Sequence, residues 1–183
     1  MVQSTRTRIV AEDYFKLPEY AENASIQLID GEVFIGMPPL TRHQEIVGEI
    51  FYLLLTIAKK LGGKAFVAPT EVFLDEHNVY EPDVLYIKPD SQCTVGQKHI
   101  VGAPDLVVEV LTPSTAKYDR EKKYRAYEKH GVAEYWIVDS IHTTIEVWIH
   151  DGQAFERVGA FADDDTFDSP QLREAIDVKT IFA

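Results

Sequence analysis

Apolar residues repeat with helical period in some stretches of the chain, alternate in others, and run unbroken in a few. From Arg42 to Leu61, residues Ile46, Val47, Ile50, Leu54, Ile57 and Leu61 fall on one stripe, with Glu45, Glu49 and Lys59 away from its centre. This spacing predicts a long core helix. Alternation in "SIQLIDGEVFIG" predicts two strands around Asp30-Gly31, a pair that tolerates the positive backbone angles of a tight hairpin turn. Short strands are expected over Lys64–Ala68, Glu71–Leu74 and Val84–Ile87, and a central one, apolar on both faces, over Leu106–Leu111. A helix is expected from Asp119 to His130, ended by Gly131 where a left-handed residue is often needed. "EYWIVD" and "TTIEVWIHDGQAFERV" add two or three strands, with Asp151-Gly152 as a second hairpin turn. A short helix over "AEDYFKL" should stop before Pro18, and "FDSPQLREAIDVKTIFA" reads as a docking segment without an assigned structure.

One residue breaks this order. Glu109 interrupts the apolar run "PDLVVEVLTP", and a carboxylate removed from water must find a cation or a proton. Strand alternation puts it on the same face as Val107 and Leu111. Asp83, in "EPDVLYI", precedes another apolar strand and follows a proline that cannot donate to a sheet, which suits a strand mouth facing a cleft. On the helix after "TPSTAKY", Asp119, Lys123, Ala126, Tyr127 and His130 share one side, so Lys123 points inward; Lys122 takes that place if the helix begins differently. Two carboxylates from adjacent strands and one inward ammonium suit a hard divalent cation, magnesium above all, and hence phosphodiester hydrolysis. Glu71, on a strand just upstream, is either a further metal ligand or a cross-strand partner. His43 is expected to be a hydrogen-bonded structural histidine, and Tyr127 and Trp136 to be core aromatics.

Composition narrows the picture. The chain has 183 residues, 45% hydrophobic and 26% charged, with no repeat, low-complexity tract or Gly/Ser-rich linker, so one domain over residues 1–183 is expected. No apolar stretch reaches bilayer-spanning length and "MVQSTRTRIVAEDYF" lacks a signal peptide's apolar core, so a cytoplasmic protein is expected. Cys93 is alone, which excludes an intrachain disulfide and a zinc site of several thiolates. No glycine-rich nucleotide motif or paired-histidine zinc signature appears. A net charge of -12 opposes the approach of a polyanion. The charge is uneven: "KYDREKKYRAYEKH" is basic, while Asp163, Asp164, Asp165 and Asp168 make an acidic stretch, and both can be solvated faces.

The segments "EPDVLYI" and "GAPDLVVEVLTPSTAKYDREKKYRAYEKHGVAEYWIVD", in that order, resemble the Uma-two family of proposed restriction endonucleases, within the restriction-endonuclease-like PD-(D/E)XK superfamily. The resemblance runs from "TRHQEIVGEI" to "VWIHDGQAFERV". It implies an α/β core with a central mixed sheet flanked by helices, a magnesium-dependent endonuclease acting on DNA (manganese as substitute), and a homodimer. It makes Asp83 and Glu109 the acids of the motif. The superfamily's lysine place is Leu111 here, and the family's lysine is expected on the following helix, at Lys123. The competing expectation is a non-catalytic module that keeps the nuclease fold for dimer formation or protein binding.

Overall fold

The computed structural model describes residues 8–22, 25–112, 116–162 and 164–183; Asp163, residues 1–7 and residues 113–115 of "TPSTAKY" lie outside them. The chain opens with α1 (Ala11–Tyr14) and α2 (Pro18–Glu22), the first ending before Pro18 as its sequence requires. The hairpin follows: β1 (Ile26–Ile29) and β2 (Glu32–Ile35) pair antiparallel, with Asp30 at φ 52° and Gly31 at φ 76° in the turn. These angles are those of the two-residue turn that matches strand twist.

The long helix α3 (Thr41–Leu61) buries Ile46, Val47, Ile50, Leu54 and Ile57, the stripe read from the sequence. Gly62, at φ 78°, ends it with its N–H on the Ala58 carbonyl, and Lys59 and Lys60 offset the negative end of the helix dipole. Next come β3 (Lys64–Val67), β4 (Val72–Asp75), β5 (Asn78–Tyr80), β6 (Val84–Ile87), β7 (Thr94–Val95), β8 (Ile100–Val101) and β9 (Leu106–Val110). After β9 a π-helical turn, Tyr118–Lys123, leads into α4 (Tyr124–His130), which Gly131 closes at φ 76°. The strands β10 (Glu134–Asp139), β11 (Thr144–His150) and β12 (Phe155–Ala162) form a meander. The segment expected only to dock is a hairpin, β13 (Thr166–Ser169) and β14 (Glu174–Asp177), followed by α5 (Lys179–Phe182).

The central sheet has the order β12-β11-β10-β9-β6-β3 and is mixed, because β9 and β10 are parallel and the other neighbours antiparallel. Two parallel neighbours need a crossover, and here the π turn and α4 supply it. On one face, α3 packs on Val84, Tyr86, Leu106, Val108, Val110, Trp136 and Val138, and Phe167, Leu172, Ile176, Val178 and Ile181 of the C-terminal hairpin and α5 complete that core. Each such aliphatic side chain withdrawn from water contributes about 1.5–3 kcal/mol. On the other face lie α4 and a second sheet, β2-β1-β5-β4-β8-β7, around Val107, Tyr127, Tyr135 and Ile137. The architecture is therefore mixed α/β with a central mixed sheet flanked by helices, as expected. The second sheet is an addition, since β5, β7 and β8 are too short to leave a period in the sequence. Among the described residues no helix is long and apolar enough to cross a membrane.

Candidate active site

The antiparallel pair β6–β9 matches Val84 with Val108 and Leu85 with Val107. One step further, at the mouth of β6, the same register sets Asp83 opposite Glu109. Directly opposed residues share a face of the sheet, which brings the two acids together. The Val110 amide donates to Asp83 Oδ2 at 2.7 Å, pinning this carboxylate to the end of β9, and His43 of α3 places Nε2 3.3 Å from the same oxygen. Burial opposes charge on His43, but the hydrogen bond and charge of Asp83 outweigh it and hold the imidazole above its ordinary range.

Glu109 is 3% exposed. The β9–β10 crossover carries Lys123 back over it, with Nζ 2.8 Å from Oε1, and the Tyr127 hydroxyl donates to the same oxygen at 2.7 Å. Asp119, four residues before Lys123, lies 3.3 Å from its ammonium. Burial pulls the amine down, yet Glu109 and Asp119 outweigh it and Lys123 is held well above its usual range. Burial also pushes the Glu109 carboxyl up, against the pull of Lys123. The amine is thus a fixed cation, with Asp119, Glu109 and Asp83 around it. The π turn carries both buried charged residues, Asp119 and Lys123, and such turns are often found at functional sites.

Asp83, Glu109, His43, Asp119 and Lys123 line one cavity of about 700 Å³, together with Glu81 and the segment Met37–Leu40. Glu81 is an acid that the sequence reading passed over: its carboxyl is pushed up to about 7 by burial and the charge of Glu71. Its signal was alternation, because it stands two residues before Asp83. Glu71 is not part of the lining; its oxygens accept from the hydroxyls of Tyr14 at 3.3 Å and Tyr20 at 2.8 Å. Lys122 points away, 3.3 Å from Glu32, while Lys123 is 4% exposed. Trp136 is a core aromatic that donates to Glu134 and meets Phe167 edge to face.

A family model described as "Putative restriction endonuclease", Uma2, matches residues 11–179. The chain belongs to the Uma2 family. Outside the family model, this Uma2 chain is 26% identical over 148 residues to the uncharacterized protein sll1609 of Synechocystis sp., covering 80% of this chain and 83% of that one. Its fold is that of a crystal structure described as a "putative nuclease belonging to DUF820" from Anabaena variabilis, with a TM-score of 0.75 at 21% identity over 95% of this chain and 97% of that one.

Proposed function

We propose that the protein is a metal-dependent endonuclease that hydrolyses phosphodiester bonds in DNA, with Asp83 and Glu109 holding the cation and Lys123 beside them. The observation that carries this reading is that Asp83, just ahead of β6, and Glu109 of β9 line one cavity, with the Lys123 ammonium 2.8 Å from Glu109 on its wall. The family description supports it.

The donor set fits magnesium or manganese. Both oxygen donors are hard carboxylates, and among the described residues no three His, Cys, Asp or Glu side chains cluster as a full cage. Magnesium needs no cage, since it keeps several waters and takes one or two carboxylates beside substrate oxygens. When bound, such an ion offsets charge on the phosphoryl group and acidifies water. The chain's own residues do the rest. Lys123, kept protonated between Glu109 and Asp119, is a donor and not a base, so it orients the attacking water or faces the oxygen where charge develops. Tyr127 fixes Glu109, while the Val110 amide and His43 fix Asp83.

Asp83→Asn keeps an oxygen that can accept from the Val110 amide, so the fold should survive. Cleavage of plasmid and single-stranded DNA in magnesium should fall about a hundredfold or more, with the melting temperature unchanged. Undiminished magnesium-dependent cleavage by this variant would overturn the assignment. A second reading, a nuclease fold kept for dimer formation or protein binding without catalysis, is favoured by the closed Glu109–Lys123 pair and by Leu111 in the superfamily's lysine place. A nick made by the wild type in magnesium, absent in chelator and in Asp83→Asn, would end it.

A further inference from the structure

We propose that the substrate of this site is DNA carrying unpaired nucleotides, whose phosphate enters the acidic cavity while the neighbouring base rests on an apolar lip. The inference rests on the nuclease reading and narrows its substrate class. The lip is the segment joining β2 to α3 with the ring of Phe34 behind it; it lines the cavity that holds Asp83 and Glu109. Met37 is 77% and Leu40 68% exposed, an uncommon use of large apolar side chains beside a charged site. Pro38 and Pro39 stand between them, and their fixed φ angles present the lip with little entropy left to lose on binding.

Electrostatics decide between a single strand and a duplex. Duplex binding draws most of its affinity from several lysines or arginines that neutralise phosphates along the backbone. Among the described residues that line the cavity, Lys123 is the one lysine or arginine, and it is already held by Glu109 and Asp119. The basic helix offers only a short substitute stripe: Arg120 is 2.6 Å from Glu146, Lys122 is 3.3 Å from Glu32 and Lys129 is 3.2 Å from Asp75, which leaves Lys117 and Arg125 as its exposed cations outside these pairs, fewer than duplex binding draws on. Affinity must come from elsewhere. For single strands it comes from contact between base faces and nonpolar side chains, which is indifferent to sequence, and here Met37, Leu40 and the two prolines would supply that contact. Reach points the same way. Glu109 and Lys123 are 3% and 4% exposed, so a phosphate meets them only by entering the cavity. A single strand can turn one nucleotide inward, whereas a duplex must first unstack and unpair it at a cost of a few kcal/mol. A volume of about 700 Å³ falls within the range of pockets that enclose a small ligand.

The test is fluorescence anisotropy with the full chain, in calcium in place of magnesium so that a hard cation is present. The probes are a labelled single strand, the same strand in a blunt duplex, and that duplex with a single-stranded flap. The single strand and the flap should bind at least about tenfold more tightly than the blunt duplex. The double variant Met37→Ser/Leu40→Ser should weaken single-strand binding by about tenfold with an unchanged thermal melt, since both side chains are exposed. Equal or tighter duplex binding, no DNA binding, or an unaltered double variant would overturn the proposal. So would a double variant that changes sedimentation but not DNA affinity, which would show the lip covered by a second copy. Single-strand preference without cleavage of any probe in magnesium would remove the nuclease reading, and with it DNA's role as substrate, while keeping unpaired DNA as what the lip binds.

Discussion

Glu109 shares one oxygen between an ammonium and a phenol, and both donors are themselves buried. Glu109→Ala therefore leaves a buried cation without its nearest counter-charge, at a cost of about 3–5 kcal/mol. Thermal denaturation should show a fall of roughly 10 °C or more. Lost cleavage in that variant alone could reflect lost structure, which is why Asp83→Asn carries the functional test. The triple substitution Glu109→Leu, Asp119→Asn and Lys123→Met, which removes all three buried charges together, should recover much of the stability while cleavage stays absent. A Glu109→Ala melt that matches the wild type would show that the pair contributes no stability. Asp83, Glu109 and Lys123 could be brought together from sequence because strand alternation and helical phase give each a direction. Tyr127 as a donor to Glu109 and His43 as a partner of Asp83 could not, because their apolar surroundings look the same as those of ordinary core residues.

Among the elements, α4 matters most, because it follows directly on the turn that holds Lys123 over the sheet. Its C-terminal end is tied to β4: Asp75 accepts from His130 at 2.9 Å and from Lys129 at 3.2 Å, and also from the His77 amide and the Asn78 side chain. Burial works against this carboxylate's charge, but these donors outweigh it and hold the carboxyl down at about 2. The folded state thus binds the Asp75 proton more weakly than the unfolded chain. Its contribution to stability is fully present above the unfolded carboxylate range and is lost as pH falls through about 2. Chemical denaturation of the wild type and Asp75→Asn should differ by a constant amount above about pH 5 and converge as pH drops from 4 towards 2. A gap that persists at low pH would show that packing, not charge, fixes α4. The long helix and the first hairpin were legible because each carries many residues in one period. The π turn was not, since its buried Asp119 and Lys123 match the phase of an ordinary α-helix equally well.

For the whole molecule, a net charge of -12 must be reconciled with the polyanionic substrate proposed above. Repulsion between like charges slows encounter, and salt screens it over a Debye length of about 10 Å at 0.1 M. Association of single-stranded DNA, followed by stopped-flow fluorescence at fixed magnesium, should therefore quicken or hold steady as salt rises from about 20 to 150 mM. Steep slowing over that range would reveal a cationic footprint that the ion-paired lysines and arginines do not provide. The overall architecture followed from the order of patterned segments, but the second sheet did not, because strands of two or three residues gain their stability from neighbours remote in sequence.

The C-terminal hairpin and α5 complete the core beneath α3, and Arg42, at the start of that helix, donates to the Phe182 carbonyl across 140 residues of chain. On the ribosome, Asp83, Glu109 and Lys123 are all synthesised before this closing segment exists. A nascent chain therefore carries every charged group of the constellation before the core shared by α3 and the C-terminal hairpin is complete.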